Sequence, residues 1–414
     1  MAKYKKQASQ ATTNGSPLPV RPAGLQSLLD HLVLAGAQQM IHKALEEELT
    51  ERLGRVRYEH HPNGQEKHYR NGYGKERHLT VGCGTFPIRV PRLREPFESA
   101  IVQRYQRMSS QMRALIPELY LHGLATGDFQ QCFRALLGEE APLSAASIVR
   151  LKQQWQQEYL QWKKRPLEQE YLYVWADGVY PKAGPKDEQM AVLVVVGVTR
   201  KGEKELLALE EGYRESTESW REVLRDLRRR GLRWIGLVIA DGLLGLWKAL
   251  RDVFPQARRQ RCLVHKMRNV LDKVPARVHD EVLQALRDIY HATSKDQALA
   301  AKEAFLERYG TLYPKAVASL NEAGELLFTY FLFPKQHWKS IKTTNVIESL
   351  FAAVKLRTDA ARRIPKRESA LYLVFKLLTS QQQRLRKIHG YRLVAQTIDH
   401  LQSTRKTSKP RMAA

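Results

Sequence analysis

Residues 171–179 read YLYVWADGV and residues 234–242 read WIGLVIADG, and these two stretches decide the fold. Each is a continuous apolar run about as long as one strand, and each leads into an Asp-Gly pair. Apolar runs bounded by turn residues are typical of strands buried on both faces. We therefore expect two core strands whose ends carry Asp177 and Asp241.

The residues around these runs alternate between strand and helix patterns. The expected elements are strands at 171–177, 191–198 and 205–209, a helix at 217–230, a strand at 234–240, a helix at 243–253 and a strand at 258–264. Three strands, helix, strand, helix, strand is the order of a ribonuclease H-like sheet, in which the first and fourth strands are neighbours. In that arrangement the two aspartates share one end of the sheet.

A third acidic residue stands in TTNVIESLFAAVKLRT at residues 343–358, where the apolar spacing is helical and cap-type residues come first. We expect Glu348 on this helix to join Asp177 and Asp241 in a cluster of oxygen ligands. Mg²⁺ prefers such carboxylates together with water and substrate phosphate, and paired ions of this kind assist phosphoryl transfer. Plainer interpretations stay open, because Asp-Gly is a common turn signal and a lone helical glutamate is usually solvated.

The composition indicates a nucleic-acid partner. The 414 residues include 68 Lys and Arg against 43 Asp and Glu, a net charge of +25. A polyanion is the first partner to consider, although a solvated basic surface has the same composition. The longest apolar run, 191–198, is too short for a membrane span, and the N-terminus lacks the apolar core of a secretory signal. Three scattered cysteines fit reduced cytosolic thiols.

The predicted fold class is α/β. A ribonuclease H-like core with a mixed five-stranded sheet is interrupted by an all-helical insertion and preceded by a mostly helical DNA-binding region. The expected segments are a disordered basic lead at 1–24, an N-terminal helix and β-hairpin region at 25–110, a helix-turn-helix-like DNA-binding domain at 111–165, the first part of the core at 166–264, the helical insertion at 265–342, the second part of the core at 343–390 and a C-terminal tail at 391–414.

Basic residues at two places predict contact with DNA. Arg150 and Lys152 lie early on the last of three short helical patterns, which suits a helix-turn-helix whose last helix enters a major groove. A plain helical bundle fits the spacing equally well. Nine basic residues between 335 and 367 face only two acids, a bias suited to phosphate contact. Trp338 among them is a candidate for stacking on an unpaired base, but tryptophan in a helical segment is more often core.

Together these motifs resemble the transposases of bacterial Mutator-type insertion sequences. The likeness covers most of the chain beyond its basic lead, and it includes an all-helical stretch between the second and third acids. The matching motifs are RNGY at 70–73, VPRLR at 90–94, DGVY at 177–180, IADG at 239–242, the Cys-x-x-His block RCLVHKMRN at 261–269 and TTNVIES at 343–349.

The resemblance implies a DDE transposase that binds the terminal inverted repeats of its own element, cuts DNA and joins the freed 3′-hydroxyl to a target. By motif match, Asp177, Asp241 and Glu348 take the catalytic metal-ligand positions for Mg²⁺, with Mn²⁺ as a substitute. Lys355 takes the basic position two helical turns after the glutamate. The implied partners are double-stranded DNA and further copies of the chain, as a homodimer or higher homo-oligomer on DNA. No membrane is expected, and the implied location is the bacterial cytoplasm, at the nucleoid.

The Cys-x-x-His block leaves several interpretations open. Zinc is disfavoured, because a zinc site usually needs four ligands and the sequence offers no second pair of suitable spacing. His265 follows a predicted strand, so it is a candidate catalytic residue that contacts the scissile phosphate or orients an acid; a purely structural histidine fits as well. Cys262 is interpreted as a small buried apolar residue. Candidates for DNA contact in this block and on the glutamate helix are Arg261, Lys266, Lys355 and Arg357.

Two other functions stay open on the sequence. A nuclease or Holliday-junction resolvase built on the same sheet would cut DNA without joining it. A non-catalytic DNA-binding regulator derived from a transposase would keep the positive charge but would not need the three acids. The intact acids argue against the regulator, and a strand-transfer assay separates the nuclease.

Overall fold

The computed structural model describes residues 28–56, 59, 69–124, 128–141, 145–184, 191–242, 244–360, 364 and 366–407. The predicted basic lead at 1–24 lies outside these residues. The chain divides into two compact units, Met1–Pro117 with Gly127–Ser144 and Glu118–Thr126 with Ala145–Ala414. The finer division into seven segments stays a prediction.

The first unit contains a long helix, two antiparallel strand pairs and a short helix. Its elements are helix α1 (Leu28–Leu53), strands β1 (Arg70–Tyr73), β2 (Arg77–Val81), β3 (Gly84–Ile88) and β4 (Pro91–Leu93), most of helix α2 (Ser110–Leu121) and helix α3 (Asp128–Leu137). β2 pairs with β3, which confirms the predicted hairpin. β1 pairs with β4, and the sequence did not predict this pair because strands this short show no clear alternation.

The core of this first unit lies between α1 and the β2–β3 hairpin. Leu79 and Phe86 are opposite each other in the hairpin, and both are buried together with Leu45 of α1. Leu34 and Ile41 pack against the same cluster. These α1 residues recur at the spacing of one helix face, and that face packs against the hairpin.

The second unit contains a five-stranded sheet with helices around it. Its first elements are α4 (Ala145–Lys164), β5 (Glu170–Val179), β6 (Ala191–Val198), β7 (Lys204–Gly212), α5 (Thr217–Arg229), β8 (Trp234–Ala240), α6 (Leu244–Val253) and β9 (Arg258–Arg261). The later helices are α7 (Leu263–Leu271), α8 (His279–His291), α9 (Lys295–Tyr309), α10 (Pro314–Glu322), α11 (Trp338–Ile341), α12 (Asn345–Ala360), α13 (Arg367–Gln382) and α14 (Val394–Thr407). Residues 263–342 are all described and contain no strand, as their helical pattern predicts.

The five strands form one mixed sheet in the order β7-β6-β5-β8-β9. β5, β6 and β7 pair antiparallel, whereas β5, β8 and β9 pair parallel. The prediction that the first and fourth strands are neighbours is therefore confirmed. All eight residues of β6 are buried, in keeping with its sequence AVLVVVGV. Because β5 and β8 run in the same direction, their carboxyl ends lie side by side.

Helices pack on the sheet through apolar residues. α5 begins after Ser216, whose hydroxyl accepts the backbone N–H of Ser219, and it buries Trp220. α5 and α6 share one core cluster with strand residues such as Val174 and Leu193. α12 and α14 pack against β5, and α13 packs against β7. Among the described residues, no helix is both long enough and apolar enough to cross a bilayer.

Two stretches of the chain differ from the sequence expectations. The strand expected at 258–264 ends at Arg261, since a helix begins at Leu263. The apolar residues after Arg261 continue a strand-like pattern in the sequence, but they belong to the first turn of α7. Residues 394–407, in the segment expected to be a tail, form helix α14 with buried Val394 and Ile398.

Candidate active site

Asp177 lies inside a strand rather than in a turn. It pairs with Val194 of β6, and Gly178 pairs with Leu193. The turn interpretation of this Asp-Gly pair is therefore wrong. Asp177 is buried, and its Oδ1 accepts the backbone N–H of Gly178 at 2.8 Å and the Nε–H of Arg214 at 3.0 Å. The strand thus holds a carboxyl group at its end with a cation beside it.

Asp241 is the first residue after β8, next to the end of β5. Gly242 has a φ of +67°, in the left-handed region that favours glycine, and the chain bends at Asp241. The Oδ2 of Asp241 lies 3.5 Å from Nη2 of Arg214, and its Oδ1 lies 3.6 Å from Nδ1 of His265. Asp241 at this bend therefore faces the same guanidinium that binds Asp177.

Arg214, in the loop after β7, joins the two aspartates, and sequence reasoning missed it. Its side chain is 21% exposed. A Cβ at Gly178 would lie only 3.1–3.3 Å from carbons of the Arg214 stem, so the glycine gives this side chain its space. The Arg214 carbonyl accepts the indole N–H of Trp220 at 2.7 Å. A single arginine in a loop forms no periodic pattern in the sequence. The one sequence feature that could have drawn attention to Arg214 is its position between a predicted strand and the cap of a predicted helix.

Glu348 lies on the first turn of α12, which confirms the predicted helix. Its backbone N–H donates to the carbonyl of Thr344 at 3.0 Å, and its Oε1 accepts the Thr344 hydroxyl at 2.5 Å. Trp175 anchors the preceding residue, because its indole N–H donates to the carbonyl of Thr343 at 3.1 Å. Trp175 and Asp177 are two positions apart on β5 and share a face. Helix α12 therefore starts over the face of the sheet that carries Asp177.

His265 lies in the first turn of α7 and is close to two of the acids. Its Nδ1 is 3.6 Å from Oδ1 of Asp241, 3.8 Å from Oε1 of Glu348 and 3.1 Å from the hydroxyl of Thr344. Cys262 is the N-cap of α7, and its sulfur accepts the backbone N–H of His265 at 3.5 Å. The cap thus fixes the helix turn that directs the imidazole toward the acids.

Cys262, His265 and Glu348 place three ligand-type atoms within 4.8 Å of one another. The sequence offers no second ligand pair for zinc, and the third ligand-type atom comes instead from Glu348 on a distant helix. The Thr344 hydroxyl lies 3.2 Å from the sulfur, 3.1 Å from the imidazole Nδ1 and 2.5 Å from the carboxylate. A hydroxyl in contact with all three atoms makes this group a hydrogen-bond network that holds Glu348.

Burial and hydrogen bonding govern the protonation of the cluster. Burial raises the pKa of Asp177 above its ordinary value, and the positive charge of Arg214 opposes that shift. The pKa of His265 is also raised, first by its hydrogen bond with Cys262 and then by the charges of Asp241 and Glu348, against the effect of burial. Burial thus favours the neutral form of Asp177, whereas the hydrogen bond and the neighbouring carboxylates favour the protonated form of His265.

The donor set fits a hard divalent ion. Asp177, Asp241 and Glu348 offer carboxylate oxygens, which are the ligands that Mg²⁺ and Mn²⁺ prefer. A chain of contacts through Arg214 and His265 links all three acids with no step longer than 3.8 Å. Two of the carboxylates already share one cation, the Arg214 guanidinium, so this end of the sheet accommodates positive charge.

Arg261 and Lys266, two predicted DNA contacts, are buried in an ion-pair network instead. Each places a nitrogen 2.8 Å from Glu322 of α10, and Lys266 also donates to the carbonyl of Ser319 at 2.9 Å. A Cβ at Gly242 would collide with the Arg261 guanidinium, so this glycine too makes room for an arginine. The two cations fasten β9 and α7 to α10, and their charge is already bound within the protein.

The other basic residues predicted to contact DNA differ in their exposure to solvent. Arg357 is buried, and its Nε–H donates to the carbonyl of Tyr120 at 2.9 Å. The ammonium of Lys152 lies 5.6 Å from the centre of the same Tyr120 ring. Arg150 and Lys355 are exposed. These last two are therefore the better placed for contact with a phosphate, and the helix-turn-helix stays a prediction.

Trp338 belongs to an aromatic cluster. Its indole N–H donates to the carbonyl of Phe333 at 2.7 Å. Its ring meets those of Tyr330 and Phe331 edge-on, with centroids 5.6 and 4.8 Å away. These contacts favour the core interpretation over stacking on a base.

Comparison with known proteins gives one consistent family. A family profile described as "Transposase, Mutator family" matches residues 20–387. The transposase for insertion sequence element IS6120 of Mycolicibacterium smegmatis is 42% identical over 69% of this chain and 88% of its own length. The transposase for insertion sequence element IST2 of Acidithiobacillus ferrooxidans is 40% identical over 62% and 87%. The transposase for insertion sequence element IS256 in transposon Tn4001 of Staphylococcus aureus is 30% identical over 86% and 92%.

Proposed function

The chain belongs to the Mutator family of transposases, and from that premise we propose that it is an insertion-sequence DNA transposase with a divalent-metal site at Asp177, Asp241 and Glu348. The observation that carries this proposal is the continuous set of contacts joining the three acids through Arg214 and His265. The reaction proposed is cleavage of a DNA strand followed by transfer of the freed 3′-hydroxyl to a target strand.

We further infer a ribonuclease H-like core. The sheet has three antiparallel strands followed by two parallel ones, with the first and fourth strands adjacent. This order supports the inference, and it accounts for the meeting of Asp177 and Asp241. Ligands in open α/β sheets commonly bind beyond the carboxyl ends of adjacent parallel strands, where these two aspartates lie.

Each residue of the cluster has a separate task in this proposal. Asp177, Asp241 and Glu348 would hold Mg²⁺ or Mn²⁺, which when bound would supply activation of the attacking hydroxyl and charge stabilisation at the leaving oxygen. The Thr344 hydroxyl fixes the Glu348 carboxylate. His265 orients Asp241 and Glu348 from between them. Loss of any one acid removes a ligand, whereas loss of His265 only loosens two of them.

The substrates proposed are the terminal inverted repeats of the element and a target duplex. The net charge of +25 supports phosphate contact along the chain, and exposed Arg150 and Lys355 are suitable side chains. Because two element ends must be brought together, we propose a homodimer or higher homo-oligomer on DNA.

The test is strand cleavage and strand transfer on end-sequence DNA in Mg²⁺. We expect Asp177→Asn, Asp241→Asn and Glu348→Gln each to lower cleavage by at least about 1000-fold while DNA binding is retained, because each removes metal-assisted stabilisation of the transition state. Asp252→Asn is a matched control, since this exposed acid pairs with Arg221 away from the cluster. Substantial cleavage by a folded single variant would contradict the site. Wild-type cutting without joining would instead indicate a nuclease.

A further inference from the structure

We propose that Arg214 is a resident counter-cation that occupies the space between Asp177 and Asp241 in the metal-free protein and exchanges with the divalent ion. The inference rests on the proposed function, because it assumes that these acids are metal ligands. It adds a further residue to the site and gives that residue a definite effect on metal affinity.

The geometry supports a built position for Arg214 rather than a chance surface contact. Its Nε–H bonds Oδ1 of Asp177 at 3.0 Å, and its Nη2 lies 3.5 Å from Oδ2 of Asp241. Gly178 leaves space for the stem, and Trp220 holds the backbone carbonyl. The side chain is therefore constrained from both ends while its charged group faces two acids.

The charges make the exchange necessary. Two neighbouring carboxylates at the end of a buried sheet repel each other, and an unpaired buried charge is strongly unfavourable. Arg214 relieves this repulsion when no metal ion is bound. A divalent ion needs the same carboxylate oxygens, so it must compete with the guanidinium for them. Arg214 consequently stabilises the empty site and weakens metal binding.

Glu215 is an alternative partner for the displaced Arg214 side chain. Nη1 of Arg214 already lies 3.9 Å from Oε1 of Glu215, which is 74% exposed. A small movement outward would keep the guanidinium paired with that acid while releasing both aspartates. The exchange needs no rearrangement of the strands that carry Asp177 and Asp241.

The proposal is tested by calorimetric titration of the full-length chain with Mn²⁺ and with Mg²⁺, in the absence of DNA. We expect Arg214→Gln to bind the metal about tenfold more tightly than the wild type, because it removes a competing partly buried ion pair. Arg214→Lys should fall between the two, since it keeps the charge but loses the paired geometry. Arg221→Gln is the matched control, because Arg221 also joins two carboxylates, Glu218 and Asp252, outside the site.

Thermal unfolding gives a second readout. In chelator, Arg214→Gln should unfold at a lower temperature than the wild type, and added Mn²⁺ should raise its midpoint by more than it raises that of the wild type. Suppose that the wild type binds the metal and that this binding depends on Asp241. If folded Arg214→Gln then binds the metal no more tightly than the wild type, this inference is overturned while the proposed metal site stands. If the wild type binds no metal and Asp241→Asn changes nothing, the proposed metal site falls as well.

Discussion

Two arginine clusters in the second unit have opposite charge ratios. At the carboxyl ends of β5 and β8, one cation, Arg214, is shared by two acids, Asp177 and Asp241. At the junction of β9, α7 and α10, two cations share one acid, Glu322. Each cluster is next to a glycine that makes room for its arginine.

The difference separates the proposed metal site from a structural joint. Surplus negative charge at the end of the sheet would be better neutralised by a divalent ion than by Arg214 alone. Surplus positive charge at the junction requires its single acid, because loss of that acid would leave two poorly solvated cations without a carboxylate. The same residue types therefore have different roles, depending on whether acids or basic residues are in excess.

The largest effect on stability is expected at the joint. Glu322→Gln should lower the free energy of unfolding by roughly 2 kcal/mol, less than a fully buried pair would lose, because the Glu322 side chain is 56% exposed. Urea unfolding measures this, with Glu325→Gln as control, since Glu325 pairs with exposed Lys295 on the surface. Equal losses in the two variants would remove the distinction between joint and surface.

The joint also predicts a pH dependence. The hydrogen bond from Lys266, with the Arg261 contact, lowers the pKa of Glu322 below its ordinary value of 4.5. A lowered pKa means that this stabilisation is present above about pH 4.5 and is lost as the pH falls through the folded-state pKa. Glu322→Gln should therefore flatten the acid limb of the stability profile.

A smaller effect is expected for the histidine of the acid-rich cluster. His265→Ala should slow single-turnover cleavage by roughly 10–100-fold, the size of losing a residue that orients metal ligands, and should leave DNA binding intact. Cys262→Ser should be milder, because serine also caps helices. His291→Ala provides an exposed control on α8. If His265→Ala cleaves DNA at the wild-type rate, His265 has only a structural role and the proposed site consists of the three acids.

The smallest effect tests a cation that belongs to neither cluster. Lys355→Ala should weaken DNA binding modestly and reduce the slope of log affinity against log salt by about 0.9, the value for one phosphate contact. Lys266→Ala should leave that slope unchanged, because its ammonium is already bonded to Glu322 and to Ser319. A lowered slope for Lys266→Ala would show that the buried network opens on DNA.

The sheet and its first two acids were predictable because their signal is local. The strands at 191–198 and 234–240 match the structure at both ends, since continuous apolar runs between turn residues define them. The pairing of the first and fourth strands followed from the order of elements, and it brings Asp177 next to Asp241.

The missed features depend on distances that the sequence does not encode. Arg214 is a lone loop residue, and its importance arises only when β5 and β8 come together. Lys266 looked available for DNA because its acid, Glu322, is far away in sequence and reaches it only through the packing of α10 on α7. The predicted β9 strand was too long, because a cysteine that caps a helix has the same hydropathy as a cysteine in a strand.

The hydrogen bond from Trp175 to the carbonyl of Thr343 spans 168 positions of the chain. During synthesis β5 emerges from the ribosome long before its partner segment exists, and chains fold from the N-terminal side as they emerge. Glu348 follows Thr343 by five positions, so the third acid is among the last parts of the site to be translated. A chain that ends before residue 343 therefore lacks both this hydrogen bond and the third acid, so the proposed site is complete only near the end of translation.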